Sequence, residues 1–137
     1  MHILLGYDGS DPAREALATV RERFDPDRLT ALYVFDPAEA GYDAPDPFGS
    51  DDDLRALARE RATAALEEVE AAVGDTDLST VHEIGHPART VVRYADEHDV
   101  DHVVVGSHGR EGLSRLLLGS VAETVVRRSP VSVTVAR

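Results

Sequence analysis

The chain has 137 residues, 26 of them acidic and 14 basic, a formal charge of −12 and no cysteine. Disulfides and thiolate metal sites are excluded, and the charge argues against nucleic acid or an anionic membrane as partner. With no run of 18 apolar residues and no basic-then-apolar leader, the expectation is one soluble cytoplasmic domain over residues 1–137, long enough for its own core. Every basic residue is arginine. An acidic, lysine-free surface suits molar salt, where the screening length falls to about 3 Å, and the reading is a salt-accumulating halophile. GC-rich coding would account for the missing lysine, but less readily for the acidic excess.

Taken in order, residues 2–8 (HILLGYD) read as the first strand and Gly9-Ser10 as a turn. Asp11 is the expected N-cap and Pro12 the expected first residue of a helix. Ala13, Ala16, Leu17 and Val20 form its inner face, ending near Phe24. Residues 29–35 are the second strand. Residues 36–52 combine proline, glycine and aspartate without periodicity and read as a long, mobile acidic loop. A long helix starts within residues 50–53 and keeps the 3.6-residue period from Leu54 to Val73, with Gly74 closing it. Residues 79–84 are the third strand. Gly85-His86-Pro87 leads into a helix with Val91, Val92 and Ala95 inside. Residues 101–106 are the fourth strand. In residues 131–136, Val131, Val133 and Val135 alternate with Ser132, Thr134 and Ala136 as a half-buried fifth strand. Strands alternating with helices of this length make βαβ units. Right-handed crossovers then place helices on both faces of a doubly wound, five-stranded parallel sheet of the α/β class.

The stretch from Val103 to Ser120 carries the chemistry. Three valines with no polar partner suit a strand buried on both faces, and they stop at Gly106. From Gly106 to Gly119 the chain carries four glycines and two arginines, Arg110 and Arg115, as a loop. Gly119-Ser120 then opens a segment in which Val121, Ala122, Val125 and Val126 recur at helical spacing. Strand, glycine loop and helix start make a phosphate cradle: glycine lets the backbone approach an anion or take positive φ, and a helix N-terminus supplies unpaired N–H groups. Ser120 with Glu123 reads as a capping box, and the Ser120 hydroxyl could also donate to a phosphate oxygen. Arginine binds phosphate bidentately.

The spacing Gly106-x2-Gly109-x9-Gly119-Ser120 resembles the ATP-binding signature of the universal stress protein family. So do "ILLGYDGS" at the start and "VGSHGREGLSRLLLGSVAETVVRRSPVSVTVAR" at the end. The resemblance implies a Rossmann-like sheet of the adenine-nucleotide alpha hydrolase-like kind, in the order 3-2-1-4-5. Strands 1 and 4 then adjoin where the order reverses, and ligands collect outside the carboxyl ends of strands at such a point. It further implies a nucleotide-dependent regulatory homodimer in the stress response, joined through the final strand, residues 131–136. The nucleotide would be ATP, with Mg²⁺ or Mn²⁺ held mostly by the phosphates. The implied nucleotide-binding residues are Asp8 and Gly9 at the adenine and ribose side, the backbone of Val34 at adenine, and Gly106, Ser107, Gly109, Arg110, Gly119, Ser120 and Val121 around the phosphates. The residues name no catalytic side chain and no protein metal ligand.

Rival readings remain. Asp8 could serve only as an Asx-turn or helix cap. The domain could be a slow ATPase or autophosphorylating enzyme, or a nucleotide-free dimeric interaction protein. Absent lysine removes a P-loop, which needs G-x4-G-K-[ST], and counts against a receiver domain. A flavodoxin would need a hydroxyl-rich phosphate loop where Asp8 and Asp11 stand. No G-x-S-x-G elbow supports a hydrolase, and the six histidines show no zinc spacing.

Overall fold

In a computed structural model the described residues are 1–41, 51–107 and 118–137, Asp51 through its main chain only. The elements are β1 (His2–Gly6), α1 (Asp11–Arg23), β2 (Arg28–Phe35), α2 (Asp51–Ala72), β3 (Leu78–Ile84), α3 (Pro87–Glu97), β4 (His102–Gly106), α4 (Ser120–Arg128) and β5 (Ser132–Ala136). All neighbouring strands run parallel, in the order β3-β2-β1-β4-β5. The expected class and strand order are therefore observed.

Successive strand residues point to opposite faces, so each central strand feeds two cores. Ile3, Leu5 and Val104 join the layer closed by α1 and α2, together with Ala16, Val20, Leu66 and Val69. Leu4, Val103 and Val105 join the layer closed by α3 and α4, with Val91, Ala95 and Val125. Ile3, Leu4, Leu5, Val103 and Val104 are wholly buried. That explains why β1 and β4 read as unbroken apolar runs rather than alternating ones.

The starts of β2, β3, β4 and β5 each shift by one residue from expectation, and three further boundaries differ for a local reason. β1 ends at Gly6. Tyr7 gives one more ladder bond, its N–H donating to the Leu32 carbonyl at 3.0 Å, and Asp8 lies beyond the pairing. The N-cap of α1 is Ser10, not Asp11: its hydroxyl accepts from Ala13 N–H, and Pro12 becomes the second helical residue. Serine and aspartate cap equally well, so two adjacent candidates leave the start ambiguous by one. At α4 the cap is Gly119, with no side-chain cap bond, and Ser120 is the first helical residue. The expected capping box of Ser120 with Glu123 is absent; Glu123 N–H instead donates to the Gly119 carbonyl at 2.9 Å. Gly74 stands just past α2 at φ +58°, as expected of a helix-closing glycine. Of the expected acidic loop, residues 36–41 form a turn, with Asp36 Oδ1 accepting from Ala38 N–H at 3.0 Å. Asp51 and Asp52 belong to α2. Residues 42–50 lie outside the described residues.

Candidate functional site

β1 and β4 pair through Ile3–His102, Leu4–Val103 and Leu5–Val104, so their carboxyl ends open side by side at the centre of the sheet. The turn after β1 is held by Asp8. Its Oδ1 accepts from Ser10 N–H at 2.9 Å and from the Ser10 hydroxyl at 2.5 Å. This is an Asx-turn, and it sets Ser10 as the cap of α1. Gly9 sits inside it at φ +79°, where an L side chain is strained.

Gly106 ends β4 against the first turn of α1. A Cβ there would lie 2.6 Å from both the carbonyl carbon and the oxygen of Pro12, and 2.8 Å from its Cβ. Neither Gly106 nor Gly119 has a positive φ; Gly119 is extended at φ −66°, ψ 160°. The conformational freedom expected of these glycines is therefore not what either position uses. Gly106 is required by close helix–strand packing. Ser107 follows, 3% exposed, with its N–H donating to the Ala136 carbonyl at 2.8 Å. Its own carbonyl accepts from Gly119 N–H at 2.6 Å. The end of β4 and the start of α4 are thus pinned together beside the last residue of β5. Gly109 and Arg110, with His108 and Arg115, lie outside the described residues.

The first helical N–H groups of α4, those of Ser120, Val121 and Ala122, have no intrahelical acceptor by geometry. Among the described residues none of them finds another acceptor. Ser120 is exposed and Val121 half-buried. The structure thus brings Asp8, Gly9, Gly106, Ser107, Gly119, Ser120 and Val121 to one end of the sheet. Val34 comes to the same end. Leu32 turns its carbonyl to Tyr7, and Phe35 turns its carbonyl to Gly85 of the β3 side. By alternation, the Val34 N–H and C=O face the β1 side, past the last residue with which β1 pairs.

A polar group that sequence reading missed backs this turn. Tyr7 is 2% exposed and its hydroxyl donates to Glu68 Oε2 at 2.7 Å. Arg14 Nη2 donates to Glu68 Oε1 at 2.9 Å, and Arg14 Nη1 to Asp11 Oδ1 at 3.0 Å. Burial, then the bond to Glu68, pushes the Tyr7 phenol up to about 12. The bonds from Tyr7 and then Arg14 hold the Glu68 carboxyl below its usual range.

Two surface concavities lie elsewhere. One, of about 300 Å³, is bounded by Val20, Phe24, Leu29 and Val73 at the opposite end of the sheet. The other, of about 480 Å³, lies between α3 and α4 and carries Arg89, Arg93 and Arg128. Among the described residues, no group of three or more histidine, aspartate or glutamate side chains is placed to hold a metal ion. No described helix is long and apolar enough to cross a membrane.

This is an open, doubly wound parallel α/β domain whose strand order reverses between β1 and β4, the point at which such folds form their ligand crevice. The chain matches the sequence model of the universal stress protein family over residues 1–137. It is 32% identical over 147 residues to universal stress protein MJ0531 of Methanocaldococcus jannaschii, covering 98% of this chain and 81% of that one. It belongs to the universal stress protein family. Its fold superposes on the solved hypothetical protein MJ0577 with TM-score 0.81 at 28% identity, over 98% of this chain and 94% of that one. A universal stress protein solved in complex with cAMP matches with TM-score 0.59 at 27% identity, over 100% of this chain and 96% of that one.

Proposed function

We propose that this chain binds ATP across the carboxyl ends of β1, β2 and β4, and that occupancy sets the state of a regulatory homodimer in the cytoplasm. The observation that carries the reading is the start of α4. A nine-residue helix opens on a glycine with no side-chain cap, and its first N–H groups, without an acceptor among the described residues, stand beside the β1–β4 switch point. A helix N-terminus left open in this way attracts phosphate through its N–H groups and its partial positive charge. At the other side of the crevice, the backbone groups of Val34 can pair with the edge of a base. Asp8 and Gly9 supply a short, close-approach turn beside the ribose. That a relative was solved with cAMP supports an adenine nucleotide. Asp8 Oδ1 is turned to Ser10, and a Mg²⁺ or Mn²⁺ ion would be carried by the phosphates. Bound there, the ion would offset phosphate charge.

The dimer reading rests on β5. It is an edge strand whose Val133 and Val135 are only half-buried, with Val126 of the adjoining α4 48% exposed. Exposed apolar edges need cover.

Ser120→Glu tests the site. A carboxylate in the first turn favours the helix by about 0.3–1 kcal/mol, so the fold stands, while the same charge repels phosphate. The expected result is native melting with nucleotide affinity lost; unchanged affinity would place the phosphates elsewhere. Gly119→Val, whose extended backbone any residue can adopt, is the companion variant and should also lose the nucleotide.

A further inference from the structure

The turn between β1 and α1 contains Gly9, which has no Cβ and sits at positive φ. Within the turn, Ser10 and Asp8 hold one another. Those bonds set the turn's shape, and α2 ties its two flanks to the rest of the domain. A Cβ on Gly9 would lie 3.7 Å from Ala65 Cβ and 3.9 Å from Glu68 Oε2, so this face of α2 directly backs the turn. Glu68 then reaches both flanks with one carboxylate. Oε2 takes the hydroxyl of Tyr7, the residue before the turn, and Oε1 takes the guanidinium of Arg14, one helical turn after it. Tyr7 is buried, and Glu68 caps its hydroxyl from the exposed side of α2.

We propose that Glu68 is a positioning residue for nucleotide binding: through Tyr7 and Arg14 it fixes the Asp8-Gly9-Ser10 turn against the base and ribose side of the crevice. This rests on the nucleotide reading above and assigns to it a residue of α2 that lies on another element and touches no ligand. The tie to Tyr7 does the positioning, and Arg14 holds the other carboxylate oxygen. The phosphate end of the site is built on Gly119 and α4; it meets α1 through Gly106 and Pro12, but among the described residues its bonding is independent of Glu68.

The independence supplies the test. Dissociation constants are measured for ATP and for inorganic tripolyphosphate, with Mg²⁺, on the intact chain and on Glu68→Ala, Tyr7→Phe and Glu68→Gln, each with its melting temperature. A hydrogen bond to a charged group spans roughly tenfold or more in an equilibrium constant. Glu68→Ala and Tyr7→Phe should each weaken ATP about tenfold and leave tripolyphosphate unchanged. Glu68→Gln keeps a carbonyl for the Tyr7 hydroxyl and should stay within about threefold of the parent for ATP. Parallel loss of both ligands, following the drop in melting temperature, would make Glu68 merely structural and overturn the proposal. So would ATP affinity unmoved by Glu68→Ala. Failure of the parent chain to bind ATP would instead sink the nucleotide reading, and this inference with it.

Discussion

Gly106→Ala separates packing from ligand approach. The added Cβ would sit 2.6 Å from the Pro12 carbonyl carbon and oxygen, closer than such atoms approach. The obstacle is main chain in the first turn of α1, which a rotamer change cannot move. Either the start of α1 lifts or the end of β4 bends. Overpacking of this kind costs about 1–3 kcal/mol, and alanine recovers about 0.4–1 kcal/mol by restricting the unfolded chain. A net loss of about 1.3 kcal/mol follows. With an unfolding entropy of about 2.1 cal/mol/K per residue, each kcal/mol is worth about 3.5 °C in a chain of this length, so melting should fall by about 4.5 °C. Gly6→Ala is the internal control. Its Cβ would meet only Val105 Cγ1 at 3.2 Å, a side-chain atom that can yield, and less than half the loss is expected. Calorimetry of both variants beside the parent decides. A Gly106→Ala protein melting within 2 °C of the parent would refute the packing argument, as would equal losses in the two variants.

Two pH dependences follow from groups the fold perturbs. The Tyr7 phenol is raised to about 12, so folding favours its neutral form. That contribution is complete below the ordinary tyrosine value near 10 and is lost as pH rises through about 12. Absorbance at 295 nm should show one late-titrating tyrosine that Tyr7→Phe removes; a titration of the same shape in that variant would contradict the assignment. His102 has the opposite sense. Burial lowers its value, with the ring beside Phe24 and Nε2 2.7 Å from Thr134 Oγ1. Its neutral form is the folded one, so stability present above about 6.5 is lost as pH falls through the lowered value. His102→Gln should flatten the decline of melting temperature between pH 7 and 5, and an identical slope would count against it.

The alternation of elements was legible because β1 and β4 are apolar on both faces and the helices keep their period, whereas the strand order came from the family resemblance and not from the pattern. The ends were less so. Ser10 and Asp11 are adjacent residues of equal capping strength, and only the hydroxyl bond to Ala13 decides between them. The capping box at Ser120 was a valid pattern that the pinning of Gly119 to Ser107 shifts by one residue. Gly106 was picked out as a place for an anion to approach; that Pro12 presses on it is announced by no local pattern. Asp8 shows the turn that was its rival reading, which leaves its ligand role a matter for experiment. Tyr7 and Glu68 stand 61 positions apart. A buried hydroxyl and a helix glutamate at that distance leave no mark in the sequence, because the bond exists only once α2 has packed against β1.

The most direct test of the account is a calorimetric titration of the chain with Mg-ATP at molar KCl, beside Ser120→Glu and after any co-purifying nucleotide has been removed and identified. The account predicts saturable binding near one nucleotide per chain in the parent and none in the variant, with both melting as folded proteins. A parent that stays silent to millimolar ATP, or a variant that binds as well as the parent, would contradict it.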